Sequence, residues 1–336
     1  MQKRLGRQTV ALERPVIIHS HAAVGGKMES EGPLAHYFDH LSQDSFFGEK
    51  TWEKAESAMQ KTALCRALEK GGMTAEDLDY VLAGDLLNQC IGTSFGLRDF
   101  GIPFFGLYGA CSTMGESIAL GALLIAGGCA DRVAAMTSSH YCTAERQYRM
   151  PVPYGSQRTP TAQWTATAAG CAILTGEGSG CAVTAVTCGK IVDKGIKDAN
   201  NMGAAMAPAA YDSLSAHFTA TGTKPSDYDL ILTGDLGVLG HRIVAELFSH
   251  DGVEMGENYQ DCGMLLFDIK GQDMHAGASG CGCAASVFCG YILKEMEAGR
   301  WKKILFAPTG ALLSPTSSFQ GESIPGISHV VTIERV

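Results

Sequence analysis

Two stretches of this sequence repeat each other, and that repeat limits the possible folds more than any other feature. Residues 76–86, EDLDYVLAGDL, return 150 positions later as SDYDLILTGDL in residues 226–236. A longer ungapped match joins the segment that starts at Gly109 to the segment that starts at Gly280, 171 positions later. Together the copies give each half the order helix, strand, glycine turn, helix, strand. We therefore expect two related halves with one architecture.

Helices separate the strands within each half, which favours parallel strands joined by right-handed crossovers. Residues 132–139 and 303–310 are apolar without clean alternation, as in strands that are covered on both faces. Residues 171–189, CAILTGEGSGCAVTAVTCG, predict a β-hairpin around a glycine turn. The sequence thus predicts an α/β fold whose first half covers residues 1–189 and whose second half covers residues 190–336.

Composition excludes several classes of protein. The net charge of −9 argues against nucleic acid as a partner. No apolar run reaches the roughly 18 residues of a membrane span, and the first residues lack the apolar stretch of a secretion signal, so we expect a protein that is neither secreted nor membrane-spanning. The 12 cysteines have no regular spacing, which indicates reduced thiols and no metal site, and no motif predicts a cofactor.

The longest stretch without a regular pattern is residues 140–166. A loop of that length in a compact protein is usually functional. It contains His140, Arg146 and Arg149, with Arg158 further along. We therefore expect ligand contacts in this segment, although each arginine could instead be a solvated charge or a partner of Glu145.

A cysteine at the start of a helix, in GACSTMGESIALGALLIAGG, and a glycine-rich turn at the matching place in the second half, GASGCGC, complete the pattern. With the duplication, these features resemble the thiolase and ketoacyl-synthase superfamily over nearly the whole chain. The longer motifs SSHYCTAERQYRMPVPYGSQRTPTAQWT, GASGCGC and PTGALLSPT resemble, more narrowly, the stage V sporulation protein AD family of endospore-forming bacteria. The resemblance implies a thiolase-like fold in α-β-α-β-α layers, and a homodimer that pairs through residues 132–139.

The same resemblance implies a function. Members of that family bind dipicolinic acid, free or as its calcium chelate, for its uptake into the developing spore. It also implies, as partners, other proteins of the stage V A operon, including membrane components, and a location in the cytoplasm or at the surface of the spore membrane. Two alternatives stay open: an active acyltransferase with Cys111 as nucleophile, and a scaffold for a spore membrane transport complex.

Acyl transfer at Cys111 needs more than a thiol at a helix start. The N-terminal end of a helix lowers a thiol pKa, but the reaction also requires a base and oxyanion donors. Where condensing enzymes of the superfamily have a histidine, this chain has Gly234 and Asp235, and the thiolase-like turn that starts at His275 is one residue short. No cysteine follows Cys289. We therefore expect no catalytic residue, and Cys111 as part of a binding pocket.

Dipicolinate is a flat ring with two carboxylates, so a matching site would combine cationic forks, amide donors at a helix start and an aromatic wall. The residues that we predict to bind it are Cys111, Ser112, His140, Arg146, Arg149, Cys281 and Cys283. Tyr141 and Tyr148 could supply the wall, or pack in the core or a dimer.

Three further polar residues have structural explanations. Asp85 and Asp235 occupy the same position in the two copies, so we expect both to accept backbone N–H bonds after their strands. The alternative for either one is a role in the pocket. His275 is expected to be a hydrogen-bonded histidine beside a glycine turn.

Overall fold

The computed structural model describes residues 3–148 and 158–336. Its strands are β1 (Lys3–Arg4), β2 (Thr9–Gly25), β3 (His40–Leu41), β4 (Tyr80–Gly84), β5 (Phe104–Gly106), β6 (Arg132–Ser139), β7 (Trp164–Thr165), β8 (Ala168–Thr175), β9 (Cys181–Thr187), β10 (Leu230–Thr233), β11 (Tyr259–Asp261), β12 (Ala278–Ser279), β13 (Lys303–Ala307), β14 (Thr309–Ala311), β15 (Gly326–Ser328) and β16 (Val330–Arg335). Its helices are α1 (Lys27–Ser30), α2 (Trp52–Gly71), α3 (Ile91–Leu97), α4 (Thr113–Ala126), α5 (Tyr141–Tyr148), α6 (Met202–Thr221), α7 (Gly237–His250), α8 (Cys262–Leu265), α9 (Cys281–Ser286), α10 (Leu293–Glu297) and α11 (Pro315–Phe319). A π-helix, Val287–Ile292, joins α9 to α10.

The main strands form one hydrogen-bonded path in the order β11-β10-β13-β16-β9-β2-β8-β6-β4-β5. The path divides into two groups of five with the same internal pattern. In β5-β4-β6-β8-β2 the first three strands are parallel and the last two are antiparallel to their neighbours. The group β11-β10-β13-β16-β9 repeats that arrangement. The duplication expected from the sequence is therefore present in the strand topology.

The register of the strands repeats as well. Tyr80 of β4 pairs with Val133 of β6, and Leu230 of β10 pairs with Ile304 of β13. Leu230 lies 150 positions after Tyr80, and Ile304 lies 171 positions after Val133. These separations are the offsets of the two sequence matches. The two halves therefore correspond residue by residue around this strand pair.

The layers alternate as predicted, α-β-α-β-α. On the outer face of the first group, Met59 and Leu64 of α2 pack on Val81, while Met206 of α6 packs on Ile231 in the second group. Helix α4 and the α9–α10 helix belong to the large core between the two groups, in which Phe288 and Phe306 stack with centroids 4.3 Å apart. Helices therefore cover both faces of each strand group, which explains the unbroken apolar runs in the sequences of its strands.

The structure corrects three local expectations. Residues 171–189 do not form a hairpin, because the long strand β2 lies between β8 and β9 and pairs with both. Residues 140–166 are not wholly irregular, since they include α5 and β7. Residues 132–139 cannot pair with a second subunit, because β4 and β8 occupy both edges of β6.

The strand pairing also bears on the boundary between the halves. Strand β9 pairs with β16 of the second group, although residues 181–187 precede the predicted boundary at residue 189. The division at residue 189 stays a prediction. None of the helices in the two described ranges is long and apolar enough to cross a bilayer.

Candidate functional site

A tight turn places Cys111 at the entrance to α4. Ala110 has a φ of 49°, in the left-handed region, and a 3₁₀ turn over Ala110–Ser112 leads into the helix. The Ser112 hydroxyl donates to the Gly109 carbonyl at 2.7 Å, and the Thr113 hydroxyl donates to the Ala110 carbonyl at 2.7 Å. Both hydroxyls therefore hold the turn in place.

The second half packs directly on this turn through Gly310 of β14. A Cβ atom at Gly310 would lie 2.0 Å from the Gly109 carbonyl oxygen, so no larger residue fits there. This close approach explains the glycine of the PTGALL segment.

Cys111 faces a solvent-open pocket, whose free space together with the adjoining open solvent is about 570 Å³. Aliphatic and aromatic side chains from both halves dominate its lining. The described lining residues are Leu86, Tyr108, Ala110, Cys111, Ala144, Glu145, Tyr148, Thr165, Ala199, Met202, Met206, Ser279, Ala311 and Leu313. No histidine, lysine or arginine is among them. Within residues 3–148 and 158–336, no group of three His, Cys, Asp or Glu side chains is arranged to hold a metal ion.

Asp235 is the carboxyl group beside Cys111. It is fully buried, and its Oδ2 accepts the Gly280 N–H at 2.7 Å and the Ser279 hydroxyl at 3.3 Å. Its Oδ1 has no hydrogen-bond partner of normal geometry in the described part of the chain. Burial raises the pKa of Asp235 to about 7, against the opposing effect of the Cys111 thiol.

The two symmetric aspartates therefore have different surroundings. Asp85 accepts the Leu87 N–H at 2.8 Å, two residues after it, as the sequence predicts. Asp235 instead receives its backbone bond from Gly280, on the facing turn, and lies against Cys111. Both aspartates therefore accept backbone N–H bonds, as expected, but only Asp235 receives its bond from the facing glycine turn and lies next to Cys111.

The thiol of Cys111 is held in its protonated form. Burial is the main cause of a pKa well above the ordinary value, and the Asp235 carboxylate and Cys281 add to it. The Gly280 N–H acts in the opposite direction but is the smaller effect. Desolvation therefore outweighs the helix start that would otherwise favour a thiolate.

None of the other predicted residues of the two turns is among the described lining residues of the pocket. Cys281 packs with Cys111 in a small apolar cluster, and its thiol donates to the Ser138 carbonyl at 2.9 Å. Ser112 and Cys283 are fully buried and are not among the lining residues. Their contacts with a ligand stay a prediction.

The predicted residues of the 140–166 segment point elsewhere in the described structure. The His140 Nε2 donates to the Ser45 carbonyl at 2.8 Å, and burial lowers the pKa of this imidazole. Arg146 pairs with Glu53 and lies 5.7 Å over the Trp52 ring, beside a neighbouring cavity. Arg149 lies outside the described residues.

Further along the same segment, Arg158 pairs with Asp273 at 2.6 Å and lies over Trp164. Tyr141 stacks on that tryptophan with centroids 4.0 Å apart. The Nδ1 of His275 lies 2.6 Å from the Thr159 carbonyl oxygen, so it is a hydrogen-bonded histidine as expected. These contacts hold the segment against the second half.

Two tyrosines of the pocket lining are hydrogen-bonded to each other. The hydroxyls of Tyr108 and Tyr148 are 2.7 Å apart, and the Tyr148 hydroxyl also donates to the Leu86 carbonyl. Tyr108 was missed by the sequence analysis, although it immediately precedes the GACS turn. Met202 and Met206, from α6, were also missed, because no sequence pattern shows that α6 reaches a turn about 90 positions earlier in the chain.

Solved structures of two acyl-transfer enzymes resemble this fold. 3-Oxoacyl-[acyl-carrier-protein] synthase III from Aquifex aeolicus VF5 is 13% identical with a TM-score of 0.58, over 95% of this chain and 99% of that one. Human mitochondrial 3-ketoacyl-CoA thiolase is 13% identical with a TM-score of 0.61, over 97% of this chain and 100% of that one. At this identity the likeness shows a thiolase-like fold.

Sequence comparison is more specific. Stage V sporulation protein AD of Bacillus subtilis (strain 168) is 41% identical over 333 residues, which cover 99% of this chain and 98% of that protein. Residues 6–334 match the family profile described as Stage V sporulation protein AD. The chain therefore belongs to the stage V sporulation protein AD family.

Proposed function

We propose that this chain binds dipicolinic acid, free or as its calcium chelate, in the pocket over Cys111, without catalysing a reaction, for uptake into the developing spore. The observation that carries the proposal is the pairing of a protonated thiol with a buried carboxyl group, Asp235, in a pocket whose described lining has no imidazole. A thiol with a raised pKa, and with no imidazole in the described lining to accept its proton, is a weak nucleophile. The pocket can hold a ligand without attacking it.

The lining suits a small flat ring. Tyr108 and Tyr148 offer aromatic surface, and Met202 and Met206 offer apolar surface that adapts to the shape of a ligand.

Charge favours the chelate over the free dianion. The described lining carries Glu145 and no cationic side chain, and Asp235 lies next to Cys111. A calcium ion would neutralise the ligand carboxylates before they enter such a lining. Arg149, which follows Tyr148 in the sequence, stays the predicted cationic contact.

Titration calorimetry tests the proposal with two matched variants. Ala199→Trp places a large side chain in the pocket, while Ala298→Trp makes the same change at an exposed position outside it. We expect saturable binding of dipicolinate, with or without calcium, to the unchanged chain and to Ala298→Trp, and at least a tenfold loss in Ala199→Trp. Absence of saturable heat at millimolar ligand would remove the proposal and leave a scaffold for membrane components as the better description.

Acyl transfer is the second candidate, because Cys111 lies in the pocket at the start of α4 and the chain shares its fold with acyl-transfer enzymes. Incubation with acyl-coenzyme A thioesters, followed by intact-mass measurement, separates the two. A stoichiometric acyl adduct that disappears in Cys111→Ser would establish the second candidate. We expect no adduct.

The proposed role includes attachment to other proteins of the stage V A operon and a location in the cytoplasm or at the surface of the spore membrane. Family membership supports this part of the proposal. Co-purification of tagged chain with membranes from sporulating cells, compared with cells that lack the other operon proteins, tests it.

A further inference from the structure

Two buried carboxyl groups lie together behind the wall of the pocket. Glu56 of α2 and Asp85 after β4 have no solvent exposure. Both approach Gly92, where a Cβ atom would lie 3.2 Å from Asp85 Oδ2 and 3.4 Å from Glu56 Cδ. Within the described ranges, no lysine or arginine contributes to the electrostatics of either group. Two buried negative charges that both reach one glycine, with no cation to compensate them, are costly, so one of the two carboxyl groups holds a proton.

The hydrogen bonds identify Asp85 as the ionised partner. Its Oδ1 accepts the Leu87 N–H at 2.8 Å, and its Oδ2 accepts the Thr93 N–H at 2.7 Å and the Thr93 hydroxyl at 2.6 Å. The Gln60 side chain donates to the Thr93 hydroxyl oxygen, so the hydroxyl proton is directed at Asp85. Three donors around one carboxyl group favour its ionised form.

Glu56 is surrounded differently. The Thr143 hydroxyl oxygen lies 2.8 Å from Glu56 Oε2 and 2.9 Å from the His140 carbonyl oxygen. A hydroxyl has one proton, so it cannot donate to both. Both contacts are hydrogen bonds when Glu56 carries a proton and donates it to Thr143, which then donates to His140. The Ser138 hydroxyl donates to the other oxygen, Oε1, at 3.1 Å.

We infer that Glu56 is a proton-dependent clasp on α5: the protonated carboxyl group anchors Thr143, and loss of the proton breaks the Thr143–His140 bond and puts a second negative charge beside Asp85. Helix α5 supplies Ala144, Glu145 and Tyr148 to the pocket wall. A rise in pH therefore loosens that wall. The consequence for a ligand rests on the proposed function, whereas the clasp itself does not.

The groups around the pair leave Glu56 as the one that changes charge in mildly alkaline solution. Burial and the Asp85 charge raise the pKa of Glu56. Burial also raises the pKa of Cys90, Tyr108 and Cys281, and lowers the pKa of His140, so these four stay neutral there. On the facing sides of α2 and α5, Glu53 is paired with Arg146.

Hydrogen–deuterium exchange of residues 141–148 tests the clasp. In the unchanged chain we expect protection of these amides, corrected for the intrinsic rate, to fall about tenfold from about pH 7 to about pH 9. The glutamine of Glu56→Gln offers an acceptor and a donor at every pH, so the protection of residues 141–148 in this variant should be the same at both pH values. The same fall in Glu56→Gln would overturn the inference.

A second variant covers the case in which Glu56→Gln does not fold. Thr143→Val removes the hydroxyl, so we expect low protection at both pH values and no step between them. A step as large as that of the unchanged chain would contradict the clasp.

Titration with dipicolinate over the same pH range adds a separate result. Affinity should fall with pH in the unchanged chain and hold in Glu56→Gln. If neither protein binds dipicolinate, the proposed function fails, while the exchange data still decide the clasp.

Discussion

At the scale of single residues, the site depends on which groups stay protonated. The resemblance of the Cys111 turn to the nucleophile turn of the thiolase superfamily predicts Cys111 as a pocket residue, and Cys111 lines the pocket in the structure. The role of Asp235 could not be predicted, because the internal symmetry matched it with Asp85 and only the approach of the two glycine turns separates them.

Removing the Asp235 charge should make Cys111 more reactive. In Asp235→Asn the carboxylate no longer raises the thiol pKa, so we expect alkylation of Cys111 by iodoacetamide at about pH 8 to quicken about tenfold, as for a fall of one pKa unit. Peptide mass spectrometry gives the rate, and exposed Cys129 in the same sample is the control. An unchanged ratio of the two rates would show that burial alone sets the thiol pKa.

The same variant should change how stability depends on pH. Because folding raises the Asp235 pKa from 3.8 to about 7, the folded chain binds more protons than the unfolded chain between these values. This group therefore makes the unfolding free energy fall as pH rises, by about 4 kcal/mol in total. In urea unfolding, the free energy of unfolding of Asp235→Asn relative to the unchanged chain should rise from pH 4 to pH 7 and stay constant above pH 7. A constant difference across this range would contradict the buried-acid assignment.

At the scale of elements, composition and spacing predict which segments are strands and helices but not always their neighbours. The parallel order around β4 and β6 follows from the helices between them. The neighbours of β8 and β9 do not follow, because β2 is long enough to pair with each along a different part of its length. A short glycine turn between β8 and β9 is compatible both with a hairpin and with a third strand lying between them.

The contact between the halves at Gly310 gives a prediction for an element. Gly310→Ala forces β14 away from the Cys111 turn, since the added atom would lie 2.0 Å from the Gly109 oxygen. We expect a loss of about 3 kcal/mol in urea unfolding. Gly6→Ala is the matched control, because its nearest neighbour would lie at an ordinary 3.4 Å. Equal stability of the two variants would mean that the halves can separate here without cost.

At the scale of the whole molecule, the duplicated architecture was predictable because two offsets in the sequence fix the same strand register twice. The surface of subunit contact was not predictable in the same way. The resemblance pointed to β6, but β4 and β8 pair with both edges of that strand. The end strand of the first group is β5, which carries the exposed aromatic residues Phe104 and Phe105. Clustered exposed aromatic side chains at an open sheet edge are typical of an interface.

Homodimer formation thus stays a prediction, now assigned to β5. A charge at position 104 would be buried between two subunits, so Phe104→Asp should sediment as a monomer at micromolar concentration while the unchanged chain sediments as a dimer. Phe319→Asp is the control, because that ring is 86% exposed on a different element, α11. Circular dichroism should show the same helix content in all three proteins, since Phe104 is itself exposed in the single chain. A dimer that survives Phe104→Asp would place the contact on another surface, and a monomeric unchanged chain would remove the dimer altogether.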